Sequence, residues 1–118
     1  MFVLVVGAGR VGSSVATSAL RAGHEVSVLD EDPLSHERLD VELEAGIEEA
    51  QVFIASTNGD NTNLVVAQIA QRRFEVPKVI ARVLDPRRAA WYAEQGVHTI
   101  CPTQIAIEQL EKAALEVA

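Results

Sequence analysis

The stretch Phe2-Val3-Leu4-Val5-Val6-Gly7-Ala8-Gly9-Arg10-Val11-Gly12 decides how the rest of the chain is read. Five apolar residues form a buried strand that runs straight into three glycines at dinucleotide-fingerprint spacing. Gly7 allows the tight turn off the strand, and Gly9 lets the backbone come close to a pyrophosphate. Gly12 lets the new helix press against the sheet. Free N–H groups and the positive end of the helix dipole at that point favour a phosphate. Downstream, Val11, Val15, Ala19 and Leu20 recur with helical spacing, and Gly23 closes the helix. The next strand, Glu25-Val26-Ser27-Val28-Leu29, ends at the acidic Asp30. A plain strand-to-helix turn would need the glycines but not this strand, helix, strand and acid in order. Nucleotide binding is therefore the expected role.

Composition sets the outer bounds. The 118 residues suffice for one domain with a single core. Ten basic against 17 acidic residues give a net charge of −7, which disfavours a nucleic-acid partner. Three Phe, one Tyr and one Trp are too few for a base-stacking platform. Cys101 is the only cysteine, so no disulfide can form within the chain and a reducing compartment suits it. No apolar run reaches the length of a membrane span, and Phe2 to Val6 reads as a strand rather than a signal peptide. A soluble, cytoplasmic protein is expected.

Five strands are predicted, at Phe2–Val6, Glu25–Asp30, Gln51–Ser56, Lys78–Val83 and Val97–Cys101. They are short and rich in Val, Ile and Leu, as parallel strands covered on both faces are. Helices alternate with them: Arg10–Ala22, an acidic one near Glu37–Ala45, Asn61–Arg73, Pro86–Gln95, and a terminal one from Thr103 or Gln104 to about Val117. Asp60 or Asn61 is expected to cap the helix at Asn61, Asp85 with Pro86 to start the next, and Gly96 to close it. The alternation predicts an α/β, Rossmann-like doubly wound parallel sheet. One stretch departs from the full fold. Glu31 through Ala50 is 20 residues, enough for one crossover helix but not for a helix, a further strand and a second crossover. Either the five strands lie in the order 2-1-3-4-5, leaving the strand at Asp30 as an edge, or residues of the usual third strand are not represented.

Several segments together resemble one family. They are Val5 to Gly12, Ala22-Gly23-His24-Glu25-Val26, Val28 to Pro33, Glu44-Ala45-Gly46-Ile47-Glu48-Glu49-Ala50, Ala55-Ser56-Thr57-Asn58 with Asn61 to Leu64, Val76 to Val83 with Asp85-Pro86, and Gly96-Val97 with Cys101-Pro102-Thr103. The set resembles the N-terminal lobe of the RCK/KTN domain, the TrkA-N type. That resemblance implies a regulatory Rossmann domain binding NAD(H), or ATP, ADP or AMP. It also implies a homodimer that builds larger rings against an integral membrane potassium channel or transporter. The Gly-Asp turn that the family carries on its third strand beside the adenine is not found here. The second lobe of the family is also not present, so the nucleotide-binding half is the expected scope.

The candidate cofactor-binding residues follow. The backbone of Gly7, Gly9, Val11 and Gly12 is the phosphate cradle. Asp30 would accept hydrogen bonds from both ribose hydroxyls and repel a 2′-phosphate, which disfavours NADP; its plainer reading is a solvated acid ending a strand. Glu31 is carried with it, although Glu31 and Asp32 also read as surface acids. The resemblance implies that Arg10 reaches phosphate, sometimes that of a neighbouring subunit; it also reads as an exposed helix-start arginine. Ser56, Thr57 and Asn58 follow a strand at its carboxyl end, where ligands sit in such sheets, or form a plain polar loop. Arg82 is near the end of its strand, where a cation needs a phosphate, a subunit partner or an acid such as Asp85; the acid is the expected partner.

His24, His36 and His98 lack a second ligand at metal spacing, so no metal site is expected. Cys101 reads as a small buried residue at a strand end. Of the adjacent Trp91 and Tyr92, one should pack on the sheet. Ile105, Ile107, Leu110, Ala113, Ala114 and Leu115 give the terminal helix an apolar surface too broad for one small sheet, and the resemblance implies that this helix crosses to a partner subunit. The functional expectation is a non-catalytic nucleotide sensor controlling potassium transport. The rival is an NAD-dependent oxidoreductase whose substrate site lies elsewhere, since no His–Asp or Tyr–Lys pair stands out. A phosphoacceptor of the response-regulator kind is rejected, because glycines stand where its acid cluster would be.

Overall fold

In the computed structural model, residues 1–7, 9–29 and 49–116 are described. The strands are β1 (Phe2–Val6), β2 (Glu25–Leu29), β3 (Val52–Ala55), β4 (Lys78–Arg82) and β5 (His98–Ile100). The helices among the described residues are α1 (Arg10–Arg21), α2 (Asp60–Arg72), α3 (Pro86–Glu94) and α4 (Pro102–Leu115). All pairings are parallel, and the order is β2-β1-β3-β4-β5. That is the five-strand alternative foreseen from the spacing, with β2 at one end among the described residues. The acidic helix near Glu37–Ala45 lies outside the described residues.

Alternate residues of the central strands feed two cores, as the period of two requires. Leu4 and Val6 of β1 face the same side as Phe53, Ala55, Val79 and Ala81, where Leu64, Ala67 and Ala70 of α2 and Ala89 of α3 meet them. Val3, Val5 and Val52 face the opposite side, against Ala16 of α1. The register sets Leu4 beside Phe53, and Phe53 beside Val79. Phe53 is fully buried between them. Of the spaced apolar set on α1, Val15 and Ala19 are half-buried, while Val11 and Leu20 remain exposed.

The chain leaves β1 in one direction to reach β2, then returns past β1 to build β3, β4 and β5 in the other. Right-handed crossovers therefore put α1 on one face and α2 with α3 on the other. The change of direction opens a crevice at the carboxyl ends of β1 and β3, where ligands bind in such sheets. Gly23 and Gly96 both take left-handed φ values of +89° and end α1 and α3, as expected. Glu75 does the same work after α2 at φ +51°, although it is not a glycine.

The terminal helix differs from the others. No residue of α4 is buried, and Leu110 and Leu115 are 69% and 79% exposed. At 14 residues it is about 21 Å long. No helix of the described residues is long and apolar enough to cross a membrane.

Candidate nucleotide site

The crevice is built first by contacts that only glycine permits. Gly7 turns off β1 at φ +108°, its N–H donating to the Leu29 carbonyl at 2.7 Å. A Cβ there would lie 2.6 Å from the Ser56 carbonyl group. At Gly12 a Cβ would collide with the Gly7 carbonyl oxygen and stand 2.9 Å from Ser56 Oγ. The start of α1 is thus seated directly on the ends of β1 and β3. Gly9 is different, with nothing within 4 Å of a Cβ position. As N-cap of α1 it supplies no side-chain acceptor, so the first-turn amides are left to an external one. Arg10 and Val11 open the helix and are exposed.

The second half of the crevice is made of side chains. Ser56 N donates to the Val6 carbonyl at 2.7 Å, and its hydroxyl turns inward to the carbonyls of Val6 and Gly7 at 3.3 and 3.4 Å. Ser56 therefore ties β3 to the glycine turn. Thr57 donates from its N–H and its hydroxyl to Asn63 Oδ1, at 2.8 and 2.7 Å. The Asn63 amide in turn donates to the carbonyls of Thr57 and Arg82, at 3.0 and 2.8 Å. Asn63 is completely buried with all its capacity used. Its orientation follows from its surroundings, since an N–H faces one end and two carbonyls the other.

Arg82 projects from the end of β4 over this loop. Its Nη2 donates to the Thr57 carbonyl and, at 3.3 Å, to Asn58 Oδ1. The acid partner expected for it is corrected: both acceptors are uncharged, and Arg82 Nε is buried without a partner among the described residues. The nearby carboxylates are committed elsewhere. Asp85 caps α3, accepting from Arg87 N at 2.9 Å as expected. Asp60 accepts from the amides of Leu84 and Asp85, at 2.7 and 3.0 Å. The cap expected of Asp60 or Asn61 is corrected too, because Gly59 is the N-cap of α2 and no side chain caps it. Asn61 instead accepts from Arg88 at 2.8 Å.

Gly7 lies against Ser56 and Thr57, and Arg82 binds Thr57 and Asn58, so the glycine turn, the Ser56–Asn58 loop and Arg82 share one rim. Asp30 and Glu31 lie outside the described residues, as does Ala8. The roles of Asn63 and Asp60 were not legible in the sequence. The only available signal was a run of polar residues, Asp60-Asn61-Thr62-Asn63, on the first turn of an otherwise apolar helix. Elsewhere, Cys101 is a buried strand-end residue as expected, its Sγ accepting from Gln104 N at 3.4 Å to cap α4. Tyr92 packs against the core, and Trp91 meets it edge-on at 4.7 Å while staying exposed.

A doubly wound parallel sheet with a glycine turn at its switch point defines a Rossmann-type nucleotide-binding domain. Comparison with known proteins narrows the class. The chain belongs to the TrkA-N domain family, whose model matches residues 3–103. It is 38% identical over 126 aligned positions to the Trk system potassium uptake protein TrkA of Streptomyces coelicolor, covering 93% of this chain and 56% of that protein. The aligned positions outnumber the 118 residues of the chain, so that relative carries residues with no counterpart here. The chain spans little more than half the length of this relative and of the TrkA proteins of Methanothermobacter thermautotrophicus and Mycobacterium tuberculosis, and under a third of that of Halomonas elongata.

Among solved structures, the AMP-bound Kef CTD of Shewanella denitrificans superposes with a TM-score of 0.79. It is 26% identical, over 98% of this chain and 80% of that one. The TrkA-N domain of the Escherichia coli inner membrane protein ybaL has the same fold, with a TM-score of 0.73 at 21% identity over 98% of this chain and 96% of that one.

Proposed function

We propose that this chain is a regulatory nucleotide sensor, acting on a membrane potassium transporter or channel at its cytoplasmic face. The observation that carries the reading is the start of α1. Gly7 and Gly12 are held against Ser56 by contacts no side chain allows, while Gly9 fronts open space and no side chain caps the helix. That combination suits a phosphate lying against main-chain amides. The AMP in the Kef relative supports an adenine nucleotide, and NAD(H), ATP and ADP share the same adenosine phosphate. Asp30 is assigned the ribose hydroxyls and Arg10 a phosphate.

The action is non-catalytic. The hydroxyls of Ser56 and Thr57 are spent on main chain and on Asn63, which leaves no activated nucleophile or general base among the described rim residues. Control would come from differential binding, one nucleotide favouring one assembly geometry and its counterpart another. The energy available is the difference in affinity for the two states. The bare apolar helix α4 supports a homodimer, and a ring of several copies would sum these differences.

Calorimetry with NAD, NADH, ATP, ADP and AMP tests the reading, with Asp30→Ala as control. Micromolar or tighter binding of at least one nucleotide, weakened in the variant, is the expected result. Binding of none would overturn it.

A further inference from the structure

We infer that the peptide joining Leu84 to Asp85 is a lever between the nucleotide rim and the bare helix α4, and that the Cys101 thiol is the cap it works. The inference rests on the nucleotide reading above and goes beyond it by naming how the rim reaches α4.

The path starts on the rim loop. The Gly59 N–H donates to the Thr57 hydroxyl at 3.2 Å, and Asp60 follows directly as the first residue of α2. The Asp60 carboxylate spans two amides, accepting from Leu84 N through Oδ1 and from Asp85 N through Oδ2. The second of these amides belongs to the Leu84–Asp85 peptide. The carbonyl of that same peptide accepts from Cys101 Sγ at 3.5 Å. A peptide is planar and stiff, so its N–H cannot swing away from Asp60 without swinging its carbonyl at Cys101.

Cys101 completes the path. It is the N-cap of α4, and its sulfur accepts from Gln104 N at 3.4 Å. Sulfur is a weak acceptor, so this cap is easily lost. It strengthens when the thiol gives its own proton away, and the carbonyl taking that proton is polarised in turn by the carboxylate on its N–H. The helix it governs is poised. No residue of α4 is buried, so the cap weighs heavily on whether the first turn stays wound. Asn61, one residue along α2, offers an internal contrast: it ties α2 to Arg88 of α3 without touching this peptide.

Amide hydrogen exchange at Gln104, followed by NMR, reads the lever directly. In the unliganded chain Asp60→Ala and Cys101→Ala should each speed that exchange about threefold or more, and the double variant should be no faster than Cys101→Ala alone. Asp60→Asn, which removes the charge and keeps the shape, serves the same purpose should Asp60→Ala not fold. Cys101→Ser, with a stronger cap acceptor, should hold the parent's rate or slow it. Asn61→Ala should leave it unchanged. An unmoved Gln104 in the Asp60 variant, effects that add in the double variant, or an equal effect of Asn61→Ala each overturns the lever while the nucleotide reading stands. The second arm saturates the chain with whichever of AMP, ADP, ATP and NADH binds most tightly by calorimetry. That ligand should slow Gln104 exchange about threefold or more in the parent and leave it unchanged in Cys101→Ala. Binding without that response overturns the coupling to the site. A parent chain that binds none of the four overturns the nucleotide reading, and the coupling with it.

Discussion

Two helices begin side by side at the same rim of the sheet, and they begin differently. Both α1 and α2 have a glycine as N-cap and no side-chain cap. On α1 the first turn is bare: Gly9 fronts open space, Arg10 and Val11 point to solvent, and Gly12 is pressed onto Gly7. On α2 the first turn is occupied: Asp60, Asn61 and Asn63 each bind a neighbouring segment. The difference teaches that a helix start becomes a ligand site by what is withheld from it. The dipole and the free amides are common to both. What differs is the surface around them: bare on α1, and on α2 filled by the contacts of Asp60, Asn61 and Asn63 with neighbouring segments.

The comparison can be broken most severely at Gly12. Gly12→Ala drives a methyl into the Gly7 carbonyl, and a loss of about 3 kcal/mol or more is expected in chemical denaturation. Next comes Gly9→Ala, where a Cβ meets nothing in the protein. Nucleotide affinity should fall about tenfold or more, with stability lowered by less than about 1 kcal/mol; calorimetry and a thermal melt separate the two. On the occupied helix, Asp60→Ala removes the acceptor of two amides and should cost about 1–2 kcal/mol in urea unfolding. The smallest effect sits at the far end of α2. Glu75 holds a left-handed φ of +51°, with Val76 N closing onto the Ala70 carbonyl at 3.0 Å. Glu75→Gly should stabilise by about 1 kcal/mol. Its nucleotide affinity should match the parent, which would show that the rim acts locally and does not simply follow the stability of the helix.

What the sequence revealed and what it hid divide along the same line. The described strands and helices were legible because they rest on short-range patterns, while the spacing left the sheet order as one of two alternatives. The runs of β1 and β3, the Asp85-Pro86 start of α3 and the closing Gly23 and Gly96 are each local. The glycine turn was legible because steric demands leave so few residues able to make it. The occupied rim was not, because its ties join residues far apart in the chain. Asp60 reaches Leu84 and Asp85, and Asn63 reaches Arg82, across separations of 24, 25 and 19 residues. Nothing in the local polarity of Asp60 separates a helix cap from a clamp on the next loop. Arg82 was expected beside an acid for the same reason. The nearby acids had already been claimed by backbone amides, which a one-dimensional reading cannot see. Amphipathic spacing overreached at Val11 and Leu20, which stay exposed.

The bare surface of α4 carries a thermodynamic consequence. A peptide of 14 residues is marginally helical on its own in water, and this one has no fully buried side chain. If a second copy covers Leu110 and Leu115, as the proposed homodimer requires, the persistence of α4 is tied by mass action to that copy. The helical signal of dilute chain should decline before the sheet melts, and recover as the chain is concentrated.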